Sequence, residues 1–285
     1  MSASTSERAS LVKNDAQPPH APKRRWRSRA FENADRAFQR FLQLTSVLHE
    51  GFWLACLNPD DLNAVTAKRY SESQYYASTG HNISGLFDWE RATLERYFRP
   101  GSRILVAAVG GGREVLALCN EGFDAEGFEC SLPLVQASQK MLSQFGGASR
   151  VIHCPPDAVP DGPPVYEGLI VGWTSYMHIP TTARRILFLQ ALRRRALLKS
   201  PVLISFLTQS TNANFDAAVL RTAKFFQLFI GGRNDCLERG DHISGRTYMH
   251  WFTRDQIESE MGSSGFRVAH YSEEGDLGYA VGIAT

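Results

Sequence analysis

The chain has no apolar run long enough to span a bilayer, which excludes a membrane helix. Its beginning holds no apolar signal-peptide core, so the cytoplasm is the expected compartment. The five cysteines (Cys56, Cys119, Cys130, Cys154 and Cys236) are scattered and odd in number, with no C-x-x-C pair. That pattern supports neither a disulfide scaffold nor a zinc site. The eight histidines lack metal-ligand spacing as well, so no metal is expected. A formal net charge of +2 gives no global polyelectrolyte signal, which argues against nucleic acid as a partner. What remains is a chain of 285 residues, 43% hydrophobic, suited to one sizeable α/β domain.

Residues 103–131 are the most informative stretch. Ile104 to Val109 form an apolar run that fits a buried parallel strand. Gly110, Gly111 and Gly112 then turn the chain without a Cβ obstacle. Arg113 to Asn120 resume helical spacing, Gly122 fits a helix stop, and a second strand ends at Glu129. A strand, glycine loop, helix and strand with an acid at the second strand tip suits an adenosine-containing cofactor. The helix N-terminus faces the polar part, and the acid accepts hydrogen bonds from ribose hydroxyls. Dinucleotide enzymes use G-x-G-x-x-G, but the third position here is Val115. The remaining sequence also leaves no room for a separate substrate domain of usual size.

The segment Val-Gly-Gly-Gly-Arg-Glu resembles motif I of class I S-adenosylmethionine-dependent methyltransferases, with Glu114 in place of that family's third glycine. The resemblance covers about Tyr70 to Thr285. It implies a Rossmann-like seven-stranded sheet with helices on both faces, an N-terminal helical segment and an insertion after strand five. Val151 to Cys154 fits strand three, Val165 to Val171 strand four and Val202 to Phe206 strand five, with a helix from about Thr182 to Lys199. His250 to Thr253 with Arg254 to Gly265 resembles the late helix, Thr253 serving as N-cap. Phe266 to Tyr271 and Gly278 to Ala284 fit the closing antiparallel strands. The implied cofactor is S-adenosyl-L-methionine, held by Ala108, Gly110, Gly111, Gly112, Glu129, Cys130, Asp157, Trp173 and Tyr76.

The rest divides by composition. Residues 1–30 form a Ser-, Ala-, Pro- and Arg-rich tail expected to be disordered, either solvated or a guide for an anionic partner. Residues 31–100 read as a helical lid and substrate segment. There Phe31, Phe38, Phe41, Leu42, Leu48, Phe52 and Trp53 recur at helical spacing as a core stripe, and Asp60 serves as a cap. Tyr75 and Tyr76 are candidates for the cofactor's methionine end or the substrate. Residues 101–285 form the catalytic domain, with an insertion at about 212–246. Its helix, Asn212 to Ile230, covers the pocket or forms a homodimer surface, and its loop, Gly231 to Arg246, is a mobile cap.

A methyl acceptor that is a phenol or alcohol benefits from a base, whereas a carboxylate needs none. His178 is the first candidate base and Tyr176 the second catalytic candidate, followed by His250. Trp173 is expected to shield the adenine or shape the pocket. Three functions stay open. The first is methylation of a small molecule or peptide, chiefly O-methylation of a carboxylate or hydroxyl, in a natural-product setting. The second is an RNA or protein methyltransferase using the basic tail. The third is an NAD(P)-binding oxidoreductase or a noncatalytic cofactor binder.

Overall fold

The computed structural model describes residues 26–145, 150–209, 213–230 and 235–285. Compactness separates residues 1–45 from residues 46–285. The described part of the first unit is the opening of helix α1, Trp26–Cys56. Trp26 to Ala30, expected in the disordered tail, are helical, and residues 1–25 lie outside the described residues. The last turns of α1 belong to the second unit and bury Val47, Glu50, Gly51, Leu54 and Ala55. The stripe expected in the core is instead exposed, from Phe31 at 71% to Phe52 at 37%. Gly51 explains the exchange of faces in the second unit. A Cβ there would lie 2.7 Å from the Thr222 side chain of helix α9, Ala213–Ile230. Close helix contact selects the small residue rather than the bulky stripe.

The second unit is built on a central sheet. Strands β1 (Arg103–Ala107), β2 (Asp124–Glu129), β3 (Val151–His153), β4 (Gly168–Val171) and β5 (Pro201–Thr208) are parallel, in the order β3-β2-β1-β4-β5. Strand β9 (Leu277–Ala284) runs antiparallel to β5 along its length, and β8 (Phe266–Glu274) pairs with β9. These are the seven expected strands, with β4 starting at Gly168 rather than Val165. Alternation along β1 feeds two cores. Leu105 and Ala107 join one cluster, and Ile104 and Val106 join the cluster on the other face.

An added hairpin departs from expectation. Strands β6 (Asp241–Ser244) and β7 (Thr247–Phe252) occupy ground read as a mobile cap and a helix start. Gly245 and Arg246 both have positive φ, +59° and +66°, which fits the two-residue turn joining twisted strands. His250 to Phe252 are therefore strand, while Thr253 caps the next helix, α10 (Arg254–Ser263), as expected. Residues 231–234 of the expected cap lie outside the described residues.

Helices α2 (Pro59–Ser71), α3 (Gln74–Ala77), α4 (Thr79–Asn82) and α5 (Asp88–Tyr97) precede the sheet. Asn58, not Asp60, caps α2. Its Oδ1 accepts from the Asp60 and Asp61 backbones, and the Asp61 carboxylate accepts from Asn58 N in return.

Candidate cofactor and active site

The carboxyl ends of β1, β2 and β4 open onto one cavity, roofed by residues of α2 to α4. It holds about 1080 Å³ of space, its open mouth included. Gly110 and Gly112 sit at φ +57° and +103°, and Gly112 caps helix α6, Arg113–Asn120. Glu129, at the tip of β2, lines the cavity and braces this loop. One carboxylate oxygen accepts from Gly110 N at 2.9 Å, and the other from Ser131 N at 2.9 Å. Ala108, Gly110, Gly111, Cys130, Asp157, Trp173 and Tyr76 also line the cavity. Gly112 is not among its walls; its left-handed backbone turns the loop into α6.

Asp157 carries a second task. Its carboxylate accepts from Asn63 of α2 and pairs with Arg184 at 3.3 Å. Helix α7 is Leu132–Gln144, and Arg184 lies on the next helix, α8, Thr182–Arg195. Burial raises the Asp157 pKa, and the hydrogen bonds from Asn63 and Arg184 offset only part of the rise. Sequence reading missed Asn63 because its partner is 94 residues away.

Glu114 has a structural reason for replacing a glycine. Its carboxylate accepts from Arg113 at 2.7 Å and from the Trp173 backbone at 3.2 Å. Arg113 in turn makes a two-pronged bond to Glu90 of α5, both at 2.7 Å. Arg113 and Glu90 are only 2% and 3% exposed. This cluster ties α5, α6 and the loop after β4 together, and losing one partner of such a buried group costs about 3–5 kcal/mol.

The N-terminal roof sits directly on the glycine loop. A Cβ on Gly111 would fall 2.0 Å from the Tyr76 carbonyl and 2.3 Å from Asn82 Nδ2. Tyr76 thus reaches the cavity, whereas Tyr75 is 57% exposed and does not line it.

His178 ends the 3₁₀ turn Ser175–His178 and lines the cavity, but both its nitrogens are engaged. Nδ1 lies 2.6 Å from the Tyr248 carbonyl and Nε2 lies 2.7 Å from the Tyr70 hydroxyl. A carbonyl only accepts, so Nδ1 carries the proton and neutral Nε2 accepts from Tyr70. Burial pushes the ring's pKa down to about 4, partly offset by the Tyr248 carbonyl. The Tyr70 ring also rests against that of Tyr76, with centroids 5.1 Å apart, and burial raises the Tyr70 pKa.

The structure does not bring Tyr176 or His250 to this site. Tyr176 is fully buried, and its hydroxyl donates to Glu260 at 2.6 Å. Strand pairing turns His250 inward, where Nδ1 meets Asp241 at 2.7 Å. Asp241 also accepts from the Tyr248 hydroxyl at 2.7 Å. His250, Asp241 and Glu238 cluster tightly enough to suggest metal ligands, but hydrogen bonds within the protein already use these atoms. Trp173 lines the cavity, packs edge-on against Phe87 at 5.0 Å, and leaves its buried Nε1 without a protein partner.

The order β3-β2-β1-β4-β5-β9-β8, with β9 the one reversed strand, has a glycine loop after β1 and an acid at the end of β2. A 1,6-didemethyltoxoflavin-N1-methyltransferase from Burkholderia thailandensis superposes with a TM-score of 0.58 at 13% identity, over 80% of this chain and 91% of that one. This is the fold of the class I methyltransferases. A second protein with it, an S-adenosylmethionine-dependent methyltransferase of Methanosarcina mazei, gives 0.54 at 11% identity over 70% of this chain and 98% of its own. The [4+2]-cyclase SpnF gives 0.51 at 10% identity over 69% and 79%. No family model matches the sequence, and no curated protein matches it. Among the described residues, no helix of this methyltransferase fold is long and apolar enough to cross a membrane.

Proposed function

We propose that the protein binds S-adenosyl-L-methionine in this cavity and transfers its methyl group to a small-molecule or peptide acceptor, forming an O-methyl product. The observation that carries this reading is the convergence of Gly110, Glu129, Asp157 and Trp173 on one cavity that also holds Tyr70 and His178. The residues fit the cofactor. A Cβ on Gly110 would meet nothing within 4 Å, so the loop leaves open space where a ligand approaches. Glu129 keeps one further lone pair on each oxygen for the ribose hydroxyls. Cys130, Leu134, Pro155 and Pro156 supply small and apolar wall beyond it, suited to an adenine. The buried, unpartnered Nε1 of Trp173 calls for a ligand acceptor.

When bound, the cofactor supplies a methyl group already activated by its sulfonium. The chain's part is alignment and exclusion of water. Tyr70, Tyr76 and Trp173 wall the space, and His178 fixes the Tyr70 hydroxyl through Nε2. A ring held near pKa 4 is a poor proton sink at neutral pH. An acceptor that arrives as a carboxylate has no proton to lose, and we favour that group over a hydroxyl.

Support from the fold alone stops short of the reaction, because SpnF, a [4+2]-cyclase, shares it. The test is methyl transfer from radiolabelled S-adenosylmethionine to aromatic and peptidyl carboxylic acids, read as base-labile methyl esters. Ester formation is expected. Label that appears only in base-stable ethers or amines overturns the carboxylate assignment, and a protein that binds the cofactor but transfers nothing to any acceptor class overturns the transferase.

A further inference from the structure

Among the described residues, two of the residues that line the cavity carry a buried side-chain atom without a hydrogen-bond partner, Asn82 Oδ1 and Trp173 Nε1. Asn82 is 2% exposed. Its amide orientation is fixed, because Nδ2 donates to the Tyr76 carbonyl at 2.9 Å and to the Ser78 carbonyl at 2.9 Å. A flipped amide would set its oxygen against both carbonyls, so the unpaired atom is the acceptor Oδ1. The carboxamide rests on the glycine loop, with Oδ1 2.7 Å from the place a Gly111 Cβ would take. A buried acceptor left unmade carries its full desolvation cost, so such an atom marks a donor that arrives from outside the protein.

Resting on the cofactor reading above, we infer that Asn82 Oδ1 receives the α-ammonium of S-adenosylmethionine. The cofactor's other N–H and O–H donors are the ribose hydroxyls and the adenine amine. Glu129 ends β2 and Asp157 follows β3, so the adenosine half belongs on that side of the sheet. Asn82 sits over Gly111, in the loop leaving β1, beside the crevice between β1 and β4. That position faces the amino-acid end. An ammonium suits a neutral carbonyl there, since the bond is charge-assisted. Glu114 also lines the cavity, but Arg113 and the Trp173 backbone already donate to its carboxylate. Trp173 Nε1 is a donor and cannot serve a cation.

Calorimetric titration with three ligands separates the outcomes. They are S-adenosylhomocysteine, its desamino analogue with hydrogen in place of the ammonium, and 5′-methylthioadenosine, which lacks the amino-acid end. The wild type should bind S-adenosylhomocysteine about ten- to hundredfold more tightly than the desamino analogue, the range for a charge-assisted hydrogen bond. Asn82→Ala should bind those two within about threefold of each other and keep wild-type affinity for 5′-methylthioadenosine. Wild-type discrimination retained in Asn82→Ala, or lost in Glu114→Gln instead, overturns the assignment. If Asn82→Ala fails to fold, a crystal structure of the wild-type complex decides. A nitrogen-to-Oδ1 distance within about 3.2 Å supports the inference, and a longer one overturns it. Failure of the wild type to bind either S-adenosylhomocysteine or 5′-methylthioadenosine would instead defeat the cofactor reading itself.

Discussion

Glu129 holds the glycine loop with both carboxylate oxygens before any ligand arrives. Glu129→Ala should therefore weaken S-adenosylhomocysteine binding by about 1–3 kcal/mol, read by calorimetry, and speed amide exchange at Gly110 and Ser131. Unchanged affinity would remove the acid from the ribose. His178 gives a second prediction at this scale. Its folded pKa, about 4, lies below the ordinary 6.5, so the unfolded chain binds the extra proton between those values. The neutral ring's contribution is complete above pH 6.5 and is lost as pH falls toward 4, up to about 3 kcal/mol. Urea unfolding of the wild type should lose that much more stability between pH 7 and 4 than His178→Phe does. The methyl-transfer rate should also stay flat from about pH 6 to 8, because the ring does not titrate there. A step near pH 6.5 would return His178 to the role of a base. The places of Glu129 and His178 on the cavity wall were legible because Glu129 ends the strand that follows the glycine loop and helix, and His178 follows β4 at the sheet's carboxyl edge. Tyr70 and Asn82 were not. The bond from Tyr70 to His178 spans 108 residues, and the use of Asn82 depends on Gly111 lying beneath it. Tyr176 looked catalytic by position, but its hydroxyl turns into the core toward Glu260.

At the scale of elements, two neighbouring glycines should behave differently. Gly110→Ala places a methyl in open cavity space at φ +57°, so it should cost about 1 kcal/mol of stability while weakening S-adenosylhomocysteine binding. Gly111→Ala drives its methyl into the Tyr76 carbonyl and the Asn82 amide, displacing α3 and α4. It should cost about 1–3 kcal/mol and lower the melting temperature by several degrees as well as weakening binding. Equal melting temperatures for the two variants would show that the roof does not rest on the loop. The strands were readable because apolar runs ended at glycines, as Ile104 to Val109 end at Gly110. The β6–β7 hairpin escaped because Gly240 and Gly245 read as loop. The informative signal was the pair Gly245-Arg246, a two-residue turn followed by the aromatic-rich run Tyr248 to Phe252. The aromatic stripe of α1 misled for another reason, since periodicity shows that a helix has a face but not which face a small residue lets close against a neighbour.

Across the whole molecule, the class of fold followed from the order of elements, and the added hairpin sits where β5 runs past β4. Leu207 and Thr208 pair with Trp251 and Phe252 there. The described residues lining the cavity begin at Asn63. Removing residues 1–25 should leave S-adenosylhomocysteine affinity within about twofold of the full chain, a change too small to represent one hydrogen bond. A larger loss would bring the basic segment into the site. The glycine loop and strand-tip acid could serve either S-adenosylmethionine or a dinucleotide, and the cavity is proposed to take the former. Calorimetric titration of the full-length protein with S-adenosylhomocysteine, then with NAD, tests that proposal most directly. Saturable one-to-one binding of S-adenosylhomocysteine is expected, with no heat and no competition from NAD. Saturable binding of NAD that excludes S-adenosylhomocysteine would contradict the proposal.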